Sequence, residues 1–188
     1  MASARQRPLT GQGQVAVEAF LVDRGAAGMP HPGGTLLEHL QRVRRLLADW
    51  GADPAVQAAG LCHATYGTDG FAPTLLPLTD RATLVALIGE RAEALVYLYA
   101  SCDRATVYPR LDGTAEVAFL DRFTSREHSP TPDDLRAFLE ITAANELDVL
   151  AHNAELAKQH GPGLYGLLKR TGPLLSPAAQ DAVARQLA

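Results

Sequence analysis

Six histidines, at positions 31, 39, 63, 128, 152 and 160, are the side chains most able to do chemistry in this chain. Imidazole alone changes charge near neutral pH, and it also ligates metals. His128 lies in the polar stretch SREHSPTP, and His160, near a helix C-terminus, can meet the negative end of the helix dipole. His39 and His63 differ, because each falls on the core-facing side of a helix that is otherwise Leu, Val and Ala. One buried histidine reads as a satisfied core residue. Two of them, 24 residues apart and followed by Asp103 in SCDR at the end of a further apolar helix, read as a set. His31, in PHPGG, either adds to that set or belongs to a rigid entry between prolines. Asn145, Asp148 and His152 share one helix face beside Leu135, Phe138, Leu139, Val149 and Leu156. That face either lines a pocket, is solvated, or holds Asp148 and His152 as an i, i+4 pair.

The elements that must position these residues are mostly helices. Residues 1–12 read as a flexible lead-in, and 13–188 as a single domain. A first helix carries Val15, Ala19 and Val22 with Phe20 and Leu21 up to Gly25, and MPHPGG breaks the chain. A second opens on the capping box Thr35-x-x-Glu38 and runs through Leu36, Leu40, Val43 and Leu47 to Gly51. Asp53-Pro54 caps a third, with Val56, Ala59, Gly60 and His63, ending at Gly67. After a loop over 67–78, helices over about 80–88 and 90–103 are separated near Gly89. Residues 105–120 suggest a small β-hairpin turning at Asp112-Gly113. Thr131-Pro132 starts the longest helix, to about His160, and Ser176-Pro177 starts the last, with room for one short helix between. The expected fold is all-α, a helical bundle with that one hairpin.

Composition narrows the function classes. In 188 residues, 47% are hydrophobic and 20% charged, which is globular. The net charge is −4 and the 17 Lys and Arg form no stripe beyond Arg42, Arg44 and Arg45, so nucleic acid is not an expected partner. No apolar run approaches a membrane span, and the start MASARQRPLTGQGQ has no signal-peptide core, so the expected location is the cytoplasm, away from membranes. Cys62 and Cys102 lie in apolar helical patterns and are expected to be reduced and packed, without a disulfide.

The order of His39, then His63 after the apolar GL-C-H, then Asp103 resembles the HD-domain superfamily of metal-dependent phosphohydrolases. The closest echo is the hydrolase domain of alarmone enzymes, whose H-P-x-x-V…A-A-L-L-H-D…A-D-R pattern is similar to EHLQRVRRLLADWGADPAVQAAGLCHA with the later SCDR, over residues 35–104. TLL-x-HL…AGL-x-H-x-x-YGT is also similar to an uncharacterised bacterial family. The HD resemblance implies a divalent metal (Fe, Mn or Zn) held by His39, His63 and Asp103, with His31 as a further candidate, and a metal-activated water. The aspartate that follows the second histidine in that family is Ala64 here, and the acidic pair of the alarmone hydrolases falls on Gly67 and Thr68. Asp69 either replaces a ligand or serves a turn.

Around such a site Tyr66, Thr68 and Asn145 are candidates to contact a substrate or to close their helices. Arg104 would hold an anionic group or anchor the hairpin by a salt bridge. Three functions stay open at this point. One is hydrolysis of a small molecule, phosphorylated or not. Another is mononuclear iron oxygen chemistry, which a two-histidine, one-carboxylate set would suit. The last is a non-catalytic HD-like binding module, whose mark would be histidines hydrogen-bonded to each other or to backbone.

Overall fold

The computed structural model describes residues 11–188 and is all-α apart from two small antiparallel hairpins. The lead-in read over residues 1–12 lies mostly outside the described residues; Gly11 and Gln12 already belong to helix α1, Gly11–Asp23. That helix buries Val17 and Leu21, while Val15, Ala19 and Val22 are exposed, so the expected apolar stripe is corrected to the i, i+4 pair and Phe20. The break at MPHPGG is itself structured, as β1 (Pro30–His31) pairs with β2 (Gly34–Thr35).

Helix α2, Leu36–Asp49, begins where its sequence says it must. The Thr35 side chain accepts from the Glu38 N–H, and the Thr35 N–H donates to Glu38 Oε2 at 2.7 Å, which satisfies two otherwise orphaned donors for about 1 kcal/mol. Its Leu36, Leu40, Val43 and Leu47 are fully buried, and burial of each such side chain contributes about 2 kcal/mol. Helix α3, Pro54–Cys62, is shorter than expected: His63 is its C-cap, and the Asp53 side chain makes no capping bond. Gly60 lets α3 lie close on α2, because a β-carbon there would overlap Leu47 Cδ1. Helices α4 (Arg81–Ile88) and α5 (Glu90–Ser101) break at Gly89, whose φ is +86°.

The hairpin expected around Asp112-Gly113 is not there. The short helix α6 (Arg104–Val107) and a 3-10 turn over Tyr108–Arg110 take up its first half, and Pro109 has no N–H to give a ladder. Asp112 instead accepts from the Thr114 N–H in a local turn. The hairpin of this region is later, β3 (Phe119–Asp121) with β4 (Arg126–His128), and it is anchored to the end of α5 by a bridge between Cys102 and Asp121. Both cysteines are free and buried, and burial pushes each thiol up to about 12.

The long helix expected from Thr131 to His160 is two. Helix α7, Pro132–Ala151, ends at His152, and Asn153 then caps α8, Ala154–Arg170, by accepting from the Leu156 N–H. Helix α9, Pro177–Leu187, is capped by Ser176 as expected. Helix α7 is the centre of the bundle, packed on α2, α3, α5, α8 and α9. No helix among the described residues is long and apolar enough to cross a membrane.

Candidate functional site

The histidines meet. His39 leaves α2 toward the central helix α7, and His63 reaches it from the end of α3; their rings lie edge to face, 5.3 Å apart. Arg42, one turn after His39, donates to the carbonyls of Pro32 and Gly33 and so fixes the β1–β2 turn. That turn stacks His31 on His39, with ring centroids 4.0 Å apart. Tyr99 closes the other side, edge-on to His63 at 5.1 Å.

Asp103 does not join them. Its backbone N–H donates to the Leu120 carbonyl and its carboxylate accepts from the Thr106 N–H, so it is spent on capping α6. The carboxylate facing the imidazoles is Asp148 on α7, only 4% exposed, which accepts from His39 Nδ1 at 2.7 Å and from Arg42 Nε at 2.7 Å. Burial raises the Asp148 carboxyl, but these hydrogen bonds and the adjoining positive charge outweigh it and hold it below the usual carboxylate range.

The other nitrogen of His39 meets the Asn145 amide at 3.1 Å; Asn145 Nδ2 donates to Glu146, and Glu146 pairs with Arg104 at 3.1 Å. One polar chain, buried in its middle and partly exposed at its two arginines, therefore runs Arg104, Glu146, Asn145, His39, Asp148, Arg42. The solvated reading of the Asn145–Asp148 face is corrected, since both residues are buried; His152, at its edge, bonds the Asp148 carbonyl.

His63 is 2% exposed and donates Nδ1–H to the Gly60 carbonyl, which fixes its tautomer and leaves Nε2 without a protein partner. Burial, with the nearby His39, pulls its pKa down to about 3. Burial and His39 likewise pull His31 down to about 4, and His31 Nδ1 is buried without a partner. Both rings are therefore neutral at physiological pH.

These residues form one end of a cavity of about 860 Å³ that the sequence did not reveal. Its polar end holds His31, His63, Thr68, Arg104, Asn145 and Glu146. Its walls are mostly apolar, from Leu36 and Phe71, from Val149 and Leu150 of α7, and from Leu156, Leu164 and Leu167 of α8, and α8 adds the polar Gln159, His160 and Arg170. Ala64 contributes to the same lining. Helix α8 is weakly built for this place. It contains three glycines whose added β-carbons would meet nothing, and Pro162, which costs it a backbone bond.

The remaining candidates separate cleanly. Thr68 lines the cavity and bridges to Phe71 through its backbone. Tyr66 does not line it; its hydroxyl donates to buried Glu93, which also takes a bidentate pair from Arg81. Asp69 accepts from the Arg104 N–H and so ties its loop to α6. Arg104 anchors no hairpin, being paired with Glu146 and bonded to the Tyr99 hydroxyl. Tyr108, unnoticed in the sequence, lines the cavity with a buried hydroxyl that has no partner.

A donor set for a metal can be read from these commitments. Both nitrogens of His39 and the carboxylate of Asp103 are engaged, so the nitrogens left to give are those of His31 and His63. Among the described residues no three His, Cys, Asp or Glu side chains are grouped to close around one ion.

The family model of a domain of unknown function (DUF6817) matches residues 20–104. The match takes in α2, α3, α4 and α5, with His31, His39, His63 and Asp103, and stops at Arg104 before α7 and α8. No curated protein and no solved structure matches the chain.

Proposed function

We propose that this chain binds a small molecule with an apolar body and a polar head, the head lying among His31, His63 and Arg104 and the body along α7 and α8. The observation that carries the reading is the cavity itself: its volume suits a ligand of drug size, its walls are largely aliphatic and aromatic, and a few polar groups, among them His31, His63 and Arg104, line it. His63, bonded to backbone, supports a binding module, while His39 is held by the Asp148 and Asn145 side chains. A pKa near 3 makes His63 a poor proton acceptor for catalysis at neutral pH and a good neutral hydrogen-bond partner.

The uncharged probe N-phenyl-1-naphthylamine, whose emission rises in apolar surroundings, tests this. Saturable binding to one site per chain is expected. The occluding variant Gly163→Trp should lose it, because Gly163 lines the cavity with open space at its β-position. Absence of saturable binding, or equal binding by the variant, would overturn the reading.

A second reading, a metal-dependent hydrolase of HD-like order, is supported by one observation: two neutral imidazoles at the cavity end each keep a nitrogen free. His31 and His63 would then hold the ion, which supplies an activated water. The residues as disposed offer two donors, short of the three that catalytic sites commonly use. Elemental analysis of protein purified without added metal decides: stoichiometric zinc or manganese supports a hydrolase, iron supports oxygen chemistry, and none leaves the binding module.

A further inference from the structure

The cavity's polar end is unusual in what it lacks. The cavity's two arginines are already engaged: Arg104 pairs with Glu146 at 3.1 Å and also serves Tyr99, and Arg170 donates to the carbonyls of Leu111 and Tyr108. An incoming carboxylate or phosphate would compete with Glu146 for Arg104 and would meet a lone pair on His63. The groups without partners are different in kind. His63 is 2% exposed, its Nδ1–H is fixed on the Gly60 carbonyl, and Nε2 is therefore a bare acceptor at the cavity end. Tyr108 has a buried hydroxyl with no partner in the same lining, and its ring lies beside the Arg104 guanidinium, 5.8 Å from centroid to carbon. Arg104 in turn is bonded to Tyr99, whose ring packs on His63. Among residues lining the one cavity, His63 thus offers an acceptor and Tyr108 an unpartnered hydroxyl, with the unpartnered Nδ1 of His31 as a third polar atom.

An unmade hydrogen bond at a buried polar group is costly, and the ligand that removes the cost is the one supplying the complement. A hydroxyl does so at both points, by donating to His63 Nε2 and accepting from Tyr108 O–H. We infer that the ligand is a neutral hydroxylated apolar compound, an alcohol or phenol, whose O–H donates to His63 and whose apolar body fills the wall between α7 and α8. This rests on the cavity being a ligand site, and names the chemical class it selects.

Titration calorimetry with 4-butylphenol, 4-butylanisole and 4-butylbenzoate separates the possibilities, because the three differ only in the head. The phenol should bind about threefold to tenfold tighter than its methyl ether, the worth of one neutral hydrogen bond. The benzoate should bind more weakly than the phenol. In Tyr108→Phe, which removes an unpartnered hydroxyl and leaves folding intact, the preference for phenol over ether should narrow. In His63→Phe, where it folds, the preference should vanish.

Equal affinity for phenol and ether would overturn the inference while the cavity reading stands. Tightest binding of the benzoate would overturn it in favour of an anionic head. If none of the three binds and the naphthylamine probe fails as well, the cavity reading itself falls.

Discussion

Acidification from pH 7 to 5 should destabilise this protein through His63, and the size of the effect follows from its burial. In the unfolded chain the imidazole titrates near its ordinary value of 6.5, whereas in the fold it does so at about 3. Between those values the unfolded chain holds a proton that the folded chain does not, so falling pH favours unfolding. The stability given by the neutral ring is complete above pH 6.5 and drains as pH falls toward 3. Each unit corresponds to 1.36 kcal/mol, so the loss by pH 5 is about 2 kcal/mol. His31, pulled down to about 4, acts in the same direction, but it is half-exposed and its share is discounted to less than about 1 kcal/mol. Asp148 has its carboxyl held low, so its contribution is present above about pH 4 and lost only below, outside this interval. Urea unfolding in chelator-containing buffer at pH 7, 6 and 5 measures the sum. With a slope of about 2 kcal/mol per molar urea, the midpoint should fall by about 1 M. His63→Gln should flatten the profile. A midpoint that does not move between pH 7 and 5, or a variant with the parent's slope, would refute the account of a neutral, desolvated His63.

Asp148→Ala removes the acceptor of both His39 and Arg42; His39 has no route to water, so about 3 kcal/mol of stability should be lost by urea unfolding, against less than about 1 kcal/mol for Arg42→Ala at the solvated end of the chain. Gly113→Ala should cost about 1–3 kcal/mol in the same assay, because φ there is +93° and the new β-carbon overlaps the Arg170 carbonyl. Pro162→Ala should stabilise α8, raising the protection of its amides against hydrogen exchange by about tenfold or more while α7 is unchanged.

What the sequence makes legible here is what neighbours along the chain decide. The start of α2 is visible because Thr35 and Glu38 solve each other's hydrogen bonds within four residues, and the breaks at Gly89 and Ser176 are equally local. The meeting of His39 and His63 is legible one level up, since two histidines on apolar helix faces have to be buried against something. Their true carboxylate was harder to find. Helix α7 is covered by five other helices, so most of its 20 residues are buried and it has no apolar stripe against which a polar face could be recognised. Asp148 looks solvated in such a pattern, and Asp103, at the end of a plainer helix, looks like the partner. The hairpin fails for a related reason. Asp112-Gly113 bends the chain through the Thr114 N–H to Asp112 side-chain bond and not as the type I′ turn of a hairpin, and the strands pair later, beside the bridge from Cys102 to Asp121, which no local window contains. Helix α8 hides in the same way, because the apolar spacing that ends α7 continues to Leu156, and only Asn153, a capping residue at the break, marks a new start.

These misses share a consequence for the site. The match to residues 20–104 covers the part whose histidines can be read from the chain alone, whereas the carboxylate that holds His39 and the wall that closes the cavity both come from beyond residue 130. The cavity is therefore lined by residues of both regions, with His31 and His63 supplied by the first and Asn145, Glu146 and the apolar face of α8 by the second. A fragment ending at Arg104 would keep His39 without Asp148 and the cavity without its α7 and α8 lining, so it would not hold the site of the whole chain.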